Sequence, residues 1–217
     1  MTRTLLLWVT ALQCIPCARA GEPGPMRQLT PSSRRSPLIF SEIMYHPLDR
    51  ADGKDLEFVE VFNTEPVDWD IGGFRLEGEI DYTFPAGTVL AGRSFVVVAA
   101  DPASLEGQYG LAGVCGPYQG RLSNGGGALR LVNHRGGVLL EVEYDDHEPW
   151  PESPDGLGHS LVLIRPDYGE GDPLAWEASA ARGGNPGAAD PGTDQRICIN
   201  ENLAHPGTGQ TAFIELF

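Results

Sequence analysis

Apolar residues along this chain come in short runs, each closed by Gly, Pro, Asn or Asp. That punctuation predicts strands at 38–45, 56–63, 72–78, 80–84, 93–99, 127–133, 138–144 and 159–165. The run Phe95-Val96-Val97-Val98-Ala99 is apolar throughout, which predicts a strand buried on both faces. Asn133-His134-Arg135-Gly136-Gly137 separates two apolar runs and reads as a hairpin turn, with glycines free to take positive φ. No stretch sustains a helical period. The best candidate is 102–109, one or two turns with Asp101 as the cap. Many short strands, 28 glycines, 18 prolines and no helical alternation predict an all-β sandwich or barrel.

The pattern also repeats. Ile39 to Pro47 aligns with Cys198 to Pro206, and Phe58-Val59-Glu60-Val61-Phe62 with Phe213-Ile214-Glu215-Leu216-Phe217, at offsets of 159 and 155 residues. Repeats of this length are whole-domain duplications, well beyond the roughly 20–50 residues of a solenoid unit. The expected layout is a complete module over 38–187, a linker over 188–196, and the first strands of a second, truncated copy over 197–217. The chain then reads as the N-terminal piece of a longer modular protein.

The ends and the charge narrow the setting. Arg3, the apolar run Leu5 to Leu12 and the small-residue site Ala18-Arg19-Ala20 make residues 1–20 a signal peptide. Export follows, to a secreted, periplasmic or cell-surface location, with no membrane insertion after cleavage, because the apolar run is too short to span a bilayer. Residues 21–37 carry Pro23, Pro25, Pro31 and Pro37 and read as a disordered linker. Cleavage leaves 13 basic against 30 acidic side chains, a net charge of −17. That balance disfavours nucleic acid and anionic membranes as partners, and no nucleic acid is expected. Cys115 and Cys198 remain after cleavage, either as a disulfide between modules or as two unpaired apolar cysteines.

Eight landmarks in order carry a family resemblance: Ser41 to Pro47, Glu57 to Asn63, Ile71 to Leu76, Tyr82 to Leu90, Leu122 to Gly126, Tyr144 to Pro151, His159-Ser160-Leu161 and Trp176. Together they resemble the lamin-tail domain (LTD) family, in the form found in exported bacterial proteins. The resemblance implies an immunoglobulin-like β-sandwich without catalytic function. Phe58 and Phe74 stand where the family often has Trp, and the basic surface of chromatin-binding lamin tails is absent. It therefore implies a fold and not a nuclear role.

Candidate sites are few. Glu42 and Glu60 recur as Glu201 and Glu215. Alternation puts Glu42 on one face with Phe40 and Met44, and Glu60 with Phe58 and Phe62. Buried carboxylates need partners, so backbone N–H groups or an arginine such as Arg75 are expected to hold them, ahead of an acid/base or metal role. Asp49, Asp52 and Asp55 around Gly53 are hard oxygen ligands near a turn and form the candidate metal site, for calcium. No other cofactor is expected. Asp145-Asp146-His147-Glu148 reads as a turn, since neighbouring strand residues point apart and four in a row do not converge. Trp150 and Trp176 read as plugs of the sandwich ends, and His46 as a strand-end packing residue. No nucleophile elbow or phosphate-binding loop occurs.

The function expected from the sequence is a non-catalytic interaction or scaffold module for adhesion, with a protein or glycan partner and a tandem lamin-tail-like module beside it. The alternatives are an accessory region of an exported enzyme, with catalysis beyond residue 217, and a calcium-binding surface module.

Overall fold

The computed structural model describes residues 36–192 and, for their backbone only, 199–203 and 213–216. The leader over 1–20, most of the linker over 21–37 and Cys198 lie outside the described residues. In chain order the strands are β1 (Leu38–Met44), β2 (Phe58–Asn63), β3 (Trp69–Asp70), β4 (Arg75–Gly78) and β5 (Ile80–Thr83). Next come β6 (Val89–Leu90), β7 (Phe95–Ala99), helix α1 (Pro102–Tyr109), β8 (Gln119–Gly120), β9 (Gly127–Val132) and β10 (Val138–Tyr144). The last are β11 (Leu161–Leu163), β12 (Trp176–Ala178), β13 (Ile199–Leu203) and β14 (Phe213–Leu216).

Two five-stranded sheets, ordered β12-β11-β1-β2-β7 and β10-β9-β4-β5-β8, enclose one apolar core. Leu38, Phe40, Ile43, Val59, Val61 and Val98 meet Leu76, Leu129, Leu131, Leu140 and Val142 in it. The strands within each sheet pair antiparallel, as the immunoglobulin-like expectation requires. Strand β7 is buried on both faces as its apolar run predicts. Val98 points into the main core, while Val97 and Ala99 join Met44, Leu56, Phe58 and Leu105 in a second cluster beneath α1.

Helix α1 forms where it is expected, for local reasons. Asp101 accepts hydrogen bonds from the Ser104 backbone N–H (3.1 Å) and hydroxyl (2.7 Å), Pro102 opens the first turn, and Gly110 closes the helix in the left-handed region (φ 68°). It is short and buries only Leu105, so contact with the sheet holds it in place. Its last residue, Tyr109, donates its hydroxyl to the Gly183 carbonyl (2.6 Å), which ties a late loop against the outer face of the first sheet.

Two features depart from simple alternation. The β1–β2 register shifts between Phe40 and Glu42, so Ser41 is an extra residue in the ladder. The bulge sends Phe40 into the main core, away from the face it was expected to share with Glu42. The hairpin β13–β14 has the same register. Ile199 pairs Leu216, Glu201 pairs Glu215, Asn202 pairs Ile214 and Leu203 pairs Phe213, with a shift between Ile199 and Glu201. In β1–β2 the equivalent pairs are Phe40 with Val61, Glu42 with Glu60, Ile43 with Val59 and Met44 with Phe58.

Candidate functional site

The bulge at Ser41 brings Glu42 opposite Glu60 on the outer face of the first sheet, both with almost no solvent contact. Neither meets an arginine among the described residues. The Ser160 hydroxyl (2.5 Å) and the Asn185 backbone N–H (3.1 Å) donate to Glu42 Oε1. The Ser41 hydroxyl donates to Glu60 Oε1 and the Gly187 N–H to Oε2, both at 2.6 Å. Arg75, the partner expected from sequence, bonds its strand neighbour Glu77 at 2.7 Å instead. Burial pushes the Glu42 carboxyl up to about 8; the charge of Glu60 adds to this, and the Ser160 and Asn185 bonds oppose it. Burial likewise pushes Glu60 up to about 7 against its two hydrogen bonds. A strap over 183–187 thus closes on a protonatable carboxyl pair.

A third buried acid carries no signal in the sequence. Glu57, just ahead of β2, accepts from the Tyr118 hydroxyl (3.1 Å), the Leu122 backbone N–H (3.0 Å) and Arg121 Nε (3.1 Å). Burial raises its pKa and these three bonds pull it back. Its partners lie over sixty positions away in the loop around β8, so nothing in its own neighbourhood announces them.

The calcium candidates sit in the loop before β2, already engaged. Arg50 holds both oxygens of Asp52, Nε at 2.9 Å and Nη2 at 2.7 Å, and the Lys54 backbone N–H adds a third bond. These bonds bring the Asp52 carboxyl down to about 2. Asp55 caps the Glu57 backbone N–H at 2.9 Å. Asp49, Asp52 and Asp55 are not gathered as a ligand group among the described residues. The group whose ligand atoms do lie within 4.8 Å of one another is Asp145, Asp146 and His147. The expectation that neighbours in this run point apart is therefore corrected. β10 ends at Tyr144, and the bend beyond it removes the strand alternation on which that expectation rested. Asp145 also does what a turn residue does, accepting from the His147 backbone N–H at 3.0 Å.

Comparison with known families decides what this framework is. The model described as Lamin Tail Domain matches residues 31–146, just over half of the chain. The chain belongs to the lamin tail domain family. No curated protein matches it. The match stops short of β11 and β12, yet both strands complete the first sheet of this lamin tail domain by pairing outward from β1. Each buried carboxylate accepts from a hydroxyl and a backbone N–H: Glu42 from Ser160 and Asn185, Glu60 from Ser41 and Gly187, and Glu57 from Tyr118 and Leu122.

The remaining candidates fall into the framework of the domain. Trp150 and Trp176 are both buried with ring centres 6.2 Å apart, and the Trp176 indole donates to the Glu170 carbonyl at 2.8 Å. Neither ring face is open to a ligand. His46 Nδ1 lies 2.8 Å from Asp155 Oδ1 at the end of β1. Cys115 has no disulfide partner among the described residues, and its half-buried side chain packs against the core beside β7. A groove of about 530 Å³, lined by Ser36, Pro37, Thr64, Glu65, Val67 and Trp69, has no counterpart in any sequence motif.

Proposed function

We propose that this chain is a non-catalytic adhesion module of an exported protein, and that its ligand is a glycan taken up beside Trp69. The observation that carries the reading is the groove at that residue. A half-buried indole and the exposed Val67 supply an apolar floor, and Thr64 and Glu65 supply polar groups at its edge. Sugar rings present C–H faces and hydroxyl edges together, which matches an aromatic platform with a carboxylate beside it. The acidic balance of the chain agrees with a neutral or cationic ligand and argues against nucleic acid. No helix among the described residues is long and apolar enough to cross a membrane.

The repeated register of β13–β14 supports a modular parent in which a second lamin-tail-like unit follows the first. Several weak sites on tandem units gain avidity without any new contact. The test is retention of the purified chain on insoluble polysaccharides such as chitin, cellulose and peptidoglycan. Trp69→Ala should abolish retention but also lower the melting midpoint, since the ring packs on the core; Glu65→Gln, at the exposed edge of the groove, should weaken retention with the midpoint unchanged. Retention that survives both substitutions would move the ligand elsewhere, and no retention by the parent would leave a protein partner.

A further inference from the structure

Three side chains just past the end of β10 make up a cluster that the framework does not use. Asp145 Oδ1 lies 3.0 Å from His147 Nδ1, and Asp146 Oδ1 lies 2.5 Å from the same nitrogen. The second contact has no hydrogen-bond geometry, and Asp146 Oδ1 is shielded from solvent without a hydrogen-bond donor among the described residues. Two carboxylate oxygens and one imidazole nitrogen therefore share a space within 4.8 Å. Ligand atoms bound at about 2.1 Å to one ion stand roughly 3–4 Å apart, so binding requires the Asp146–His147 contact to open slightly.

An independent observation points to the same place. Tyr45 is fully buried, and its hydroxyl has no hydrogen-bond partner among the described residues. Its ring packs on Tyr144, the residue immediately before Asp145, with ring centres 5.0 Å apart. The charges that reach its hydroxyl are those of Asp155, Asp146 and Asp145. A buried hydroxyl left without a partner costs roughly 1–3 kcal/mol. Water bound to an ion held by the acidic turn would give that hydroxyl its partner, as outer-shell groups commonly do at metal centres.

We propose that Asp145, Asp146 and His147 bind a divalent transition-metal ion of the zinc type, with the Tyr45 hydroxyl holding a water of its shell. The two carboxylates balance the ionic charge. The neutral imidazole ligates through Nδ1 and carries its proton on Nε2. A nitrogen donor among only three protein ligands favours zinc-like ions over calcium or magnesium, which prefer an all-oxygen shell. The site is separate from the Asp49, Asp52 and Asp55 loop and from the groove at Trp69.

The experiment is calorimetric titration of the untagged full chain with zinc chloride, with calcium chloride as the comparison. Zinc is expected to bind with a stoichiometry of one. His147→Ala and Asp146→Asn should each weaken it at least about tenfold, with the metal-free melting midpoint unchanged, because these side chains lie at a surface turn. Tyr45→Phe keeps the ring and removes the hydroxyl, and should weaken zinc about tenfold as loss of an outer-shell partner does. Parent-like affinity in His147→Ala overturns the proposal. So does the absence of zinc binding by the parent at millimolar metal, or calcium binding as tight as zinc.

Discussion

Glu42 and Glu60 are paired directly across the β1–β2 ladder, 2% and 1% exposed, on the one face of the first sheet that the strap over 183–187 covers. Like charges directly opposed on a sheet repel, and burial removes the water that would screen them. The pair therefore keeps a proton at neutral pH, and its titration belongs to both residues together.

Stability should fall as pH rises. Glu42 moves from an ordinary value of 4.5 to about 8, and Glu60 from 4.5 to about 7, so the native state binds more protons than the unfolded chain between those limits. The unfolding free energy then declines with pH across the window, by about 1.4 kcal/mol at most per pH step for each carboxyl that stays protonated in the native state. The melting midpoint should be highest near pH 5 and several degrees lower at about pH 8.5. Glu42→Gln, a neutral isostere, should flatten most of that decline. A parent midpoint that stays level over the window would contradict the buried pair.

Gly184 is expected to tolerate no side chain. Its φ is +71°, and a Cβ there would overlap Glu42 Oε1 and lie 2.8 Å from the Ser160 hydroxyl. Gly53 has a similar φ of +67° with nothing within 4 Å. Gly53→Ala should cost only the left-handed strain of about 1 kcal/mol, and Gly184→Ala clearly more. Urea denaturation of the two variants separates backbone strain from steric overlap, and equal losses would show that the strap does not close on Glu42.

The three partners of Glu57 should be unequal. Arg121 is 72% exposed at its side chain, so Arg121→Ala should cost less than about 0.5 kcal/mol. The Tyr118 hydroxyl donates from a buried position, and Tyr118→Phe should cost about 1 kcal/mol or more. Denaturant midpoints that rank the two the other way would mean that the ion pair holds the loop around β8.

Calcium should leave the melting midpoint unchanged, because Arg50 already occupies both oxygens of Asp52. A ligand that bound only the folded state would raise the midpoint in proportion to the logarithm of its concentration. A calcium-dependent rise that disappears in Asp52→Ala would show instead that the loop rearranges to bring Asp49, Asp52 and Asp55 together.

The long strands and the helix were legible in the sequence because each carries its own signal. The apolar run of β7, the Asn133–Gly137 turn before β10 and the Asp101 cap of α1 are local features, and all three form as expected. The two-residue ladders β3, β6 and β8 were not legible, since such short segments show no period. Trp176 was recognised as a landmark but not as a strand residue; β12 follows a turn over Pro173–Ala175 and exists only because it pairs with β11. The need of Glu42 and Glu60 for partners could be read from their apolar surroundings. Which partners they take could not, because Ser160, Asn185 and Gly187 come from loops with no pattern of their own. Convergence at Asp145–His147 was hidden by a strand end that alternation cannot locate to the residue.

The strand order β11-β1-β2 sets when a nascent chain can finish its first hairpin. β1 and β2 are made early, but their carboxyl pair waits for donors 118 to 143 positions further along the chain. Closing loops of that length before any reward is gained slows the crossing to the native state, as in other folds dominated by distant contacts. The carboxyl pair of the first hairpin is therefore completed only by segments made more than a hundred residues later.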